Sequence, residues 1–294
     1  MIERVASKAE IRSAVSEARR EGKTVGFVPT MGALHEGHLS LVRAACARTA
    51  FVVVSIFVNP TQFAPGEDYE RYPRDLDRDC ARLAAESVEI VFAPTPEVMY
   101  GSDPHVTVEP GELAERWEGE LRPGHFRGVA TIVTKLLNTV RPDLAFFGEK
   151  DYQQLLVIEK LVADLDLGVG VVRVPTSREA DGLALSSRNT YLSAAERAQA
   201  LGIPEALEAA VEAAAWGETD ADVLRRVMRE AAEERGVALD YADLVDPATL
   251  EPLDTLSAPA RALIAGRVGT TRLIDNSEVV PVPSEVGATV PEVA

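Results

Sequence analysis

Two of the chain's four histidines, His35 and His38, stand three residues apart with Gly37 between them, just after the apolar run Thr24-Val25-Gly26-Phe27-Val28-Pro29. Imidazoles in this pattern can ligate a metal or donate hydrogen bonds to an anion. A catalytic zinc takes three protein ligands and a structural one four. The His-x-x-His pair supplies two, so the metal reading lacks a third ligand. The anion reading draws on more of the segment. Gly32 and Gly37 let the backbone pass close to a ligand where a strand turns into a helix. A helix starting near Gly37 aims its free N–H groups and positive dipole end at that ligand. Phosphate is the anion this arrangement suits. Other phosphate loops fail on particular residues. Gly32 and Gly37 have the Walker spacing, but His38 and Leu39 replace its Lys-Ser/Thr pair. Gly22-Lys23-Thr24 has no glycine five positions earlier, and no Gly-x-Gly-x-x-Gly follows a strand.

The elements that must position these residues alternate. Apolar, β-rich runs at 24–29, 51–58, 88–92, 144–147 and 169–174 are separated by helical patterns at 37–49, 68–86, 125–140 and 151–165. The segment Phe51–Val58 is almost wholly apolar, as a strand covered on both faces should be. Such alternation implies βαβ crossovers and a mostly parallel sheet, with ligands beyond the carboxyl ends of its strands. Lys150 falls there, directly after the strand 144–147. A lone lysine is ordinarily a solvated surface group; its place after an apolar strand argues otherwise. Composition shifts over 176–193. Downstream come alanine-rich helices at 194–215 and 221–234 and strand-like runs at 239–245 and 261–275. The fold expected is α/β, a Rossmann-like parallel-sheet domain over residues 1–175 with a smaller α+β, lid-like domain over 176–284. Residues 285–294 read as a flexible tail.

The chain has 294 residues, 46% of them apolar, and a net charge of −17 from 30 basic and 47 acidic residues. That charge repels phosphate backbones and argues against nucleic acid as a partner. No run approaches the roughly 18 apolar residues of a membrane helix, and the first twenty residues do not read as a signal peptide. Cys46 and Cys80 lack paired spacing and read as reduced core residues, which suits a cytoplasmic protein. Asp75, Asp77 and Asp79 lack the glycine and terminal glutamate of a calcium loop. They read as one solvated helix face, with Asp79 a candidate Mg²⁺ ligand. His105 and His125 read as structural.

His35-x-Gly-His38 after a first strand resembles the His-x-Gly-His motif of the nucleotidyltransferase superfamily. Four blocks in order narrow the likeness: Pro29-Thr30-Met31-Gly32-Ala33-Leu34-His35-Glu36-Gly37-His38, Val58-Asn59-Pro60-Thr61-Gln62-Phe63, Gly148-Glu149-Lys150-Asp151-Tyr152-Gln153-Gln154 and Ser186-Ser187-Arg188-Asn189-Thr190-Tyr191-Leu192. Together they resemble the pantothenate synthetase (pantoate–β-alanine ligase) family over about residues 1–280.

The resemblance implies ATP- and Mg²⁺-dependent amide synthesis through a pantoyl adenylate, with pantoate, β-alanine and ATP as substrates and a homodimer as the assembly. It implies that His35, His38, Lys150, Ser187 and Arg188 are catalytic. The ATP site would comprise Met31 to His38 (Met31, Gly32, Ala33, Leu34, His35, Glu36, Gly37, His38), Gly148 to Asp151 (Gly148, Glu149, Lys150, Asp151), Ser177, Leu185, Ser186, Ser187 and Arg188. Pro29, Thr30, Met31, Gln62 and Gln154 would hold pantoate, with Ser186 to Arg188 reaching in from the second domain. Arg122 or Arg127, in the segment around Pro123–Gly128, would approach a carboxylate. Thr61 and Leu185 depart from the family pattern, which has methionine or another apolar residue there, and Ser177 stands where valine usually flanks an adenine contact. The rivals are another nucleotidyltransferase of the superfamily and a catalytically silent nucleotide sensor.

Overall fold

The computed structural model describes residues 2–64 and 66–282; the expected tail at 285–294 lies outside them. The elements in order are β1 (Glu3–Val5), α1 (Lys8–Arg20), β2 (Val25–Thr30), α2 (Glu36–Arg48), β3 (Phe51–Ile56), α3 (Leu76–Ala85), β4 (Ile90–Phe92), α4 (Pro96–Tyr100), α5 (Glu118–Leu121), α6 (His125–Val140), β5 (Leu144–Gly148), α7 (Tyr152–Asp164) and β6 (Gly170–Val174). After them come α8 (Ala194–Ala200), α9 (Gly202–Ala215), α10 (Ala221–Glu234), β7 (Ala238–Val245), β8 (Ala260–Val268) and β9 (Thr271–Val279).

The first six strands form one sheet in the order β1-β4-β3-β2-β5-β6, and every pairing in it is parallel. Alternate residues of a strand face opposite layers. Phe27 of β2 packs with Ile11 and Val15 of α1, Val129 of α6 and Leu155 and Ile158 of α7. Its neighbour Val28 packs on the other face with Val42 and Ala45 of α2 and Cys80 and Leu83 of α3. Both faces are covered, which is why β2 and β3 read as unbroken apolar runs. The strand order reverses at β2, whose neighbours are β3 and β5. The crevice beyond the carboxyl ends of β2 and β5 is the switch point where open α/β sheets bind ligands.

The chain divides into two compact units at Thr190/Tyr191, fifteen residues beyond the boundary expected from composition. Residues 176–190 belong to the first unit because their partners are there. Ser177 donates to Ser40, Arg188 pairs with Asp68, and Leu183 and Ala184 are buried. The second unit has α8–α10 and an antiparallel sheet β7-β8-β9. The helix expected over 194–215 is two helices. Pro204 has no N–H for the Ala200 carbonyl and its ring crowds that oxygen, so the first ends at Ala200. The strand-like run 261–275 is a hairpin turning at Gly269.

Two further local differences have simple causes. The helix expected over 68–86 begins only at Leu76, because Pro73 disfavours helix before it and Asp75 caps the new start by accepting from the Arg78 N–H at 3.0 Å. The N-terminal residues form α1 with a capping box, in which Ser7 accepts from the Glu10 N–H and Glu10 accepts from the Ser7 N–H. Cys80 is buried as expected, whereas Cys46 is exposed. Among the described residues, no helix is long and apolar enough to cross a membrane.

Candidate active site

At the carboxyl end of β2, the Thr30 hydroxyl donates to the Ser55 carbonyl at 2.8 Å and accepts from the Gly32 N–H at 3.2 Å. The chain then reverses through two left-handed residues, Gly32 at φ +81° and Ala33 at φ +51°. Glycine takes that conformation freely; alanine does so at a cost. α2 follows, with His35 as its N-cap. The His35 N–H points to His38 Nδ1 at 3.3 Å, and the two rings lie 4.1 Å apart between centroids. An accepting Nδ1 places the neutral ring's proton on Nε2, leaving His38 Nε2–H as a donor. Nδ1 of His35 is buried and has no hydrogen-bond partner among the described residues.

Both imidazoles are kept uncharged. Burial lowers His35 to about 4, with the Lys150 ammonium adding to the effect. Burial lowers His38 to about 3, with His35 the next cause. The positive charge of the site comes from other groups. Lys150, on the turn after β5, stands with its Nζ 3.7 Å from the Asp151 carboxylate. Burial would raise the Asp151 carboxyl, but Lys150 and then Arg188 outweigh it and hold the group below its usual range. Arg188, after β6, donates through Nε and a terminal nitrogen to both oxygens of Asp68, at 3.2 and 3.0 Å. Ser187 Oγ lies 3.4 Å from the Tyr72 hydroxyl.

A polar clamp follows β3. Asn59, 1% exposed, donates to Gln62 Oε1 at 2.9 Å and to the Gly128 carbonyl at 3.2 Å. Its own carbonyl oxygen accepts from the hydroxyls of Tyr100 at 2.6 Å and Thr61 at 3.0 Å. Helix α6 presses on this loop at Gly128, where a Cβ would sit 2.1 Å from the Thr61 carbonyl oxygen. On α7, consecutive glutamines divide the work. The buried Gln153 accepts from the Glu118 N–H and donates to the carbonyls of Leu113 and Arg116. Gln154, one residue on, faces the cavity.

These parts meet around one cavity of about 240 Å³. Its wall brings together Pro29, Thr30, Met31, His35, Gly37, His38, Gln62, Gly148, Lys150, Asp151, Gln154, Ser177 and Leu185 to Arg188. Gly32, Ala33, Leu34, Glu36 and Glu149 are absent from that wall. Leu34 is buried in the core, and Glu36 turns outward to pair with Arg43.

Asp79 departs furthest from expectation. It is 2% exposed rather than solvated, and its two oxygens accept from the backbone N–H groups of Ala33 and Leu34, both at 2.9 Å. That corrects its place on a solvated face and gives its oxygens a partner other than Mg²⁺. Asp75 caps α3 and Asp77 pairs with Arg4.

Two residues of the wall were legible only in part. His125 lines the cavity, and its Nδ1 lies 2.8 Å from the Gln62 carbonyl; burial lowers it to about 4. It stands at the cavity wall as well as tying the Gln62 backbone. His105 pairs with Asp103 at the surface. Arg122 also lines the cavity, paired with Glu67 at 2.8 and 2.9 Å, whereas Arg127 pairs with the exposed Glu109. Phe57, Val129, Ile132 and Val133 supply an apolar floor that carries no motif.

Comparison with known proteins places the chain among its relatives. A pantothenate synthetase of Rubrobacter xylanophilus is 56% identical over 280 residues, 92% of this chain and 96% of the relative. The crystal structure of pantothenate synthetase from Thermus thermophilus matches with a TM-score of 0.90 at 49% identity, covering 95% of this chain and all of that one. A pantoate–β-alanine ligase from Francisella tularensis, solved in complex with beta-gamma ATP and β-alanine, matches with a TM-score of 0.79 at 34% identity over 94% of this chain and 97% of that one. Residues 3–278 match the sequence family described as pantoate–β-alanine ligase, and the chain belongs to that family.

Proposed function

We propose that this cavity condenses (R)-pantoate with β-alanine at the expense of ATP, giving pantothenate, AMP and pyrophosphate through a pantoyl adenylate. The observation that carries the reading is the division of the cavity wall. One part offers donors suited to a polyanion, namely His38, Lys150, Ser187 and Arg188. Another offers the carboxamides of Gln62 and Gln154 above an apolar floor, which suits a branched hydroxy acid.

In the first step a pantoate carboxylate oxygen attacks the α-phosphorus, and the bond from that phosphorus to pyrophosphate breaks. Charge builds on the α-phosphate oxygens and on the leaving group. The Lys150 ammonium serves the α-phosphate, Ser186, Ser187 and Arg188 the β- and γ-phosphates, and Gly148 and Asp151 the ribose hydroxyls. His35 and His38 act as neutral hydrogen-bond donors. Pyrophosphate is a good leaving group and needs no proton from them. In the second step the β-alanine amine attacks the acyl carbon, AMP departs and the nitrogen loses a proton. The protein's share is positioning and charge stabilisation.

Magnesium holds few protein ligands and usually enters nucleotide sites on the phosphates. Among the described residues no group of three or more His, Cys, Asp or Glu could hold a metal ion. Mg²⁺ is assigned in this proposal to the phosphates of ATP, its usual place at nucleotide sites. A cytoplasmic homodimer is part of the same proposal, checked by sedimentation.

ATP–pyrophosphate exchange tests the reading. Exchange that requires pantoate, followed by AMP release only on adding β-alanine, is the expected result. Exchange without pantoate would point to another acid substrate or another nucleotidyltransferase. ATP binding without any exchange would favour a nucleotide sensor.

A further inference from the structure

We infer that Asp79 is a positioning residue for this chemistry, a clamp that holds the turn at 32–34 and so fixes His35 and the start of α2. The inference rests on the functional reading above only for its kinetic part.

Four observations place the clamp. The Asp79 carboxylate is buried, and each of its oxygens accepts from one of two consecutive backbone N–H groups, Ala33 and Leu34, at 2.9 Å. Those N–H groups belong to a turn whose left-handed pair has alanine as its second member, a conformation that reverts unless something holds it. Arg82, one turn further along the same helix, donates to the Leu34 carbonyl at 2.6 Å. The two sides of one peptide segment are therefore gripped from one face of α3. Finally, the Gly32 Cα packs against the clamp so closely that a Cβ there would lie 3.0 Å from Asp79 Oδ2 and 3.0 Å from Ile56 Cγ2.

The segment so held leads directly into His35. Beyond His35, the pairing of its N–H with His38 Nδ1 sets the tautomer that leaves His38 Nε2–H as a donor. A carboxylate is needed because both of its oxygens must accept. Asparagine would present an N–H₂ group to one of the two N–H donors, and the turn would lose one tie. A Mg²⁺ bound to Asp79 would have to share oxygens that these N–H groups already hold.

Asp79→Asn and Asp79→Glu, checked for folding by circular dichroism, test the inference. In Asp79→Asn the imidazole resonances of His35 and His38 should shift in the ligand-free protein. Exchange kcat should fall about a hundredfold, the scale of an ångström's misplacement, with the KM for ATP changing far less. The Mg²⁺ concentration for half-maximal rate should not move, and Asp79→Glu should not rescue, since the longer side chain cannot seat both oxygens. Unshifted imidazoles, or activity restored by raised Mg²⁺ or by glutamate, would overturn the clamp. A measurement on the unaltered chain guards against misfolded variants: the Ala33 and Leu34 amides should be slow to exchange with solvent and unshifted by Mg²⁺ alone. Fast exchange, or a Mg²⁺-induced shift, would also overturn it. Absence of pyrophosphate exchange in the unaltered chain would sink the functional reading while leaving the resonance and amide tests in force.

Discussion

Arg188 is assigned to the phosphates of ATP, yet in the ligand-free chain its guanidinium is already committed to Asp68 through bonds of 3.2 and 3.0 Å. Polyphosphate and Asp68 therefore compete for the same donors. Replacing Asp68 with asparagine removes the competing charge while keeping the side chain's shape. At an effective dielectric of 20, opposite charges about 4 Å apart attract by roughly 4 kcal/mol before desolvation is counted. The Asp68 side chain is 13% exposed and that of Arg188 31%, so solvent offsets most of that attraction. A net value of about 1 kcal/mol remains, at the upper end for exposed pairs. Not having to break the pair should tighten ATP binding by the same amount, about fivefold. Titration calorimetry with a non-hydrolysable ATP analogue, at fixed Mg²⁺, reads this directly. The gain should shrink as salt is raised, because the competing pair is then already weakened. Equal or weaker binding by Asp68→Asn would refute the competition and make Asp68 a support that aims Arg188.

Three other outcomes follow from the same geometry. His35, His38 and His125 have folded values near 4, 3 and 4 against 6.5 for the free side chain, so the unfolded chain binds protons that the folded chain does not. Their stabilising effect is complete above about pH 6.5 and is lost as pH falls towards 4; the thermal midpoint should drop between pH 7 and 5, less steeply in His125→Asn, and a flat profile would contradict the burial of these rings. Gly128→Ala would put a Cβ 2.1 Å from the Thr61 carbonyl oxygen, so it should cost about 1–3 kcal/mol in denaturant unfolding and raise the KM for pantoate more than that for ATP. Asn59→Ala strips the ties to Gln62, Gly128 and Tyr100, for a loss of about 2–3 kcal/mol and the same kinetic bias; unchanged pantoate kinetics would show that Gln62 needs no such support.

What was legible in the sequence is what nearby residues decide. The strands at the switch point announce themselves because β2 and β3 are covered on both faces, and α6 was legible from His125 to Val140 by its own pattern. The reach of Lys150, Gln62 and Gln154 into one cavity follows from each standing near the carboxyl end of a strand. The missed features depend on partners far along the chain. Asp79 looks like one acid on a charged helix until the turn 45 residues earlier folds against it. Arg188 sits in a segment where the composition shifts, and contacts far along the chain, its pairing with Asp68 120 residues away among them, assign it to the first unit. Nor could spacing reveal that the consecutive acids Glu67 and Asp68 each hold one arginine of the cavity wall, Arg122 and Arg188.

That last pairing bears on how an acidic chain can accept an acidic substrate. With −17 formal charges the protein repels ATP at long range, so attraction must be local. The cavity keeps its imidazoles neutral and its arginines matched with carboxylates until a ligand arrives. An unmatched cation in such a wall would be costly to keep out of water, and an unmatched anion would repel the nucleotide. Each arginine therefore starts with a carboxylate that a phosphate or carboxylate of the substrate can replace. Under the proposed function, binding is an exchange of partners rather than the filling of an empty charged site. If Asp68→Asn tightens ATP binding as expected, Asp68 and Glu67 tune affinity together with the arginines they hold.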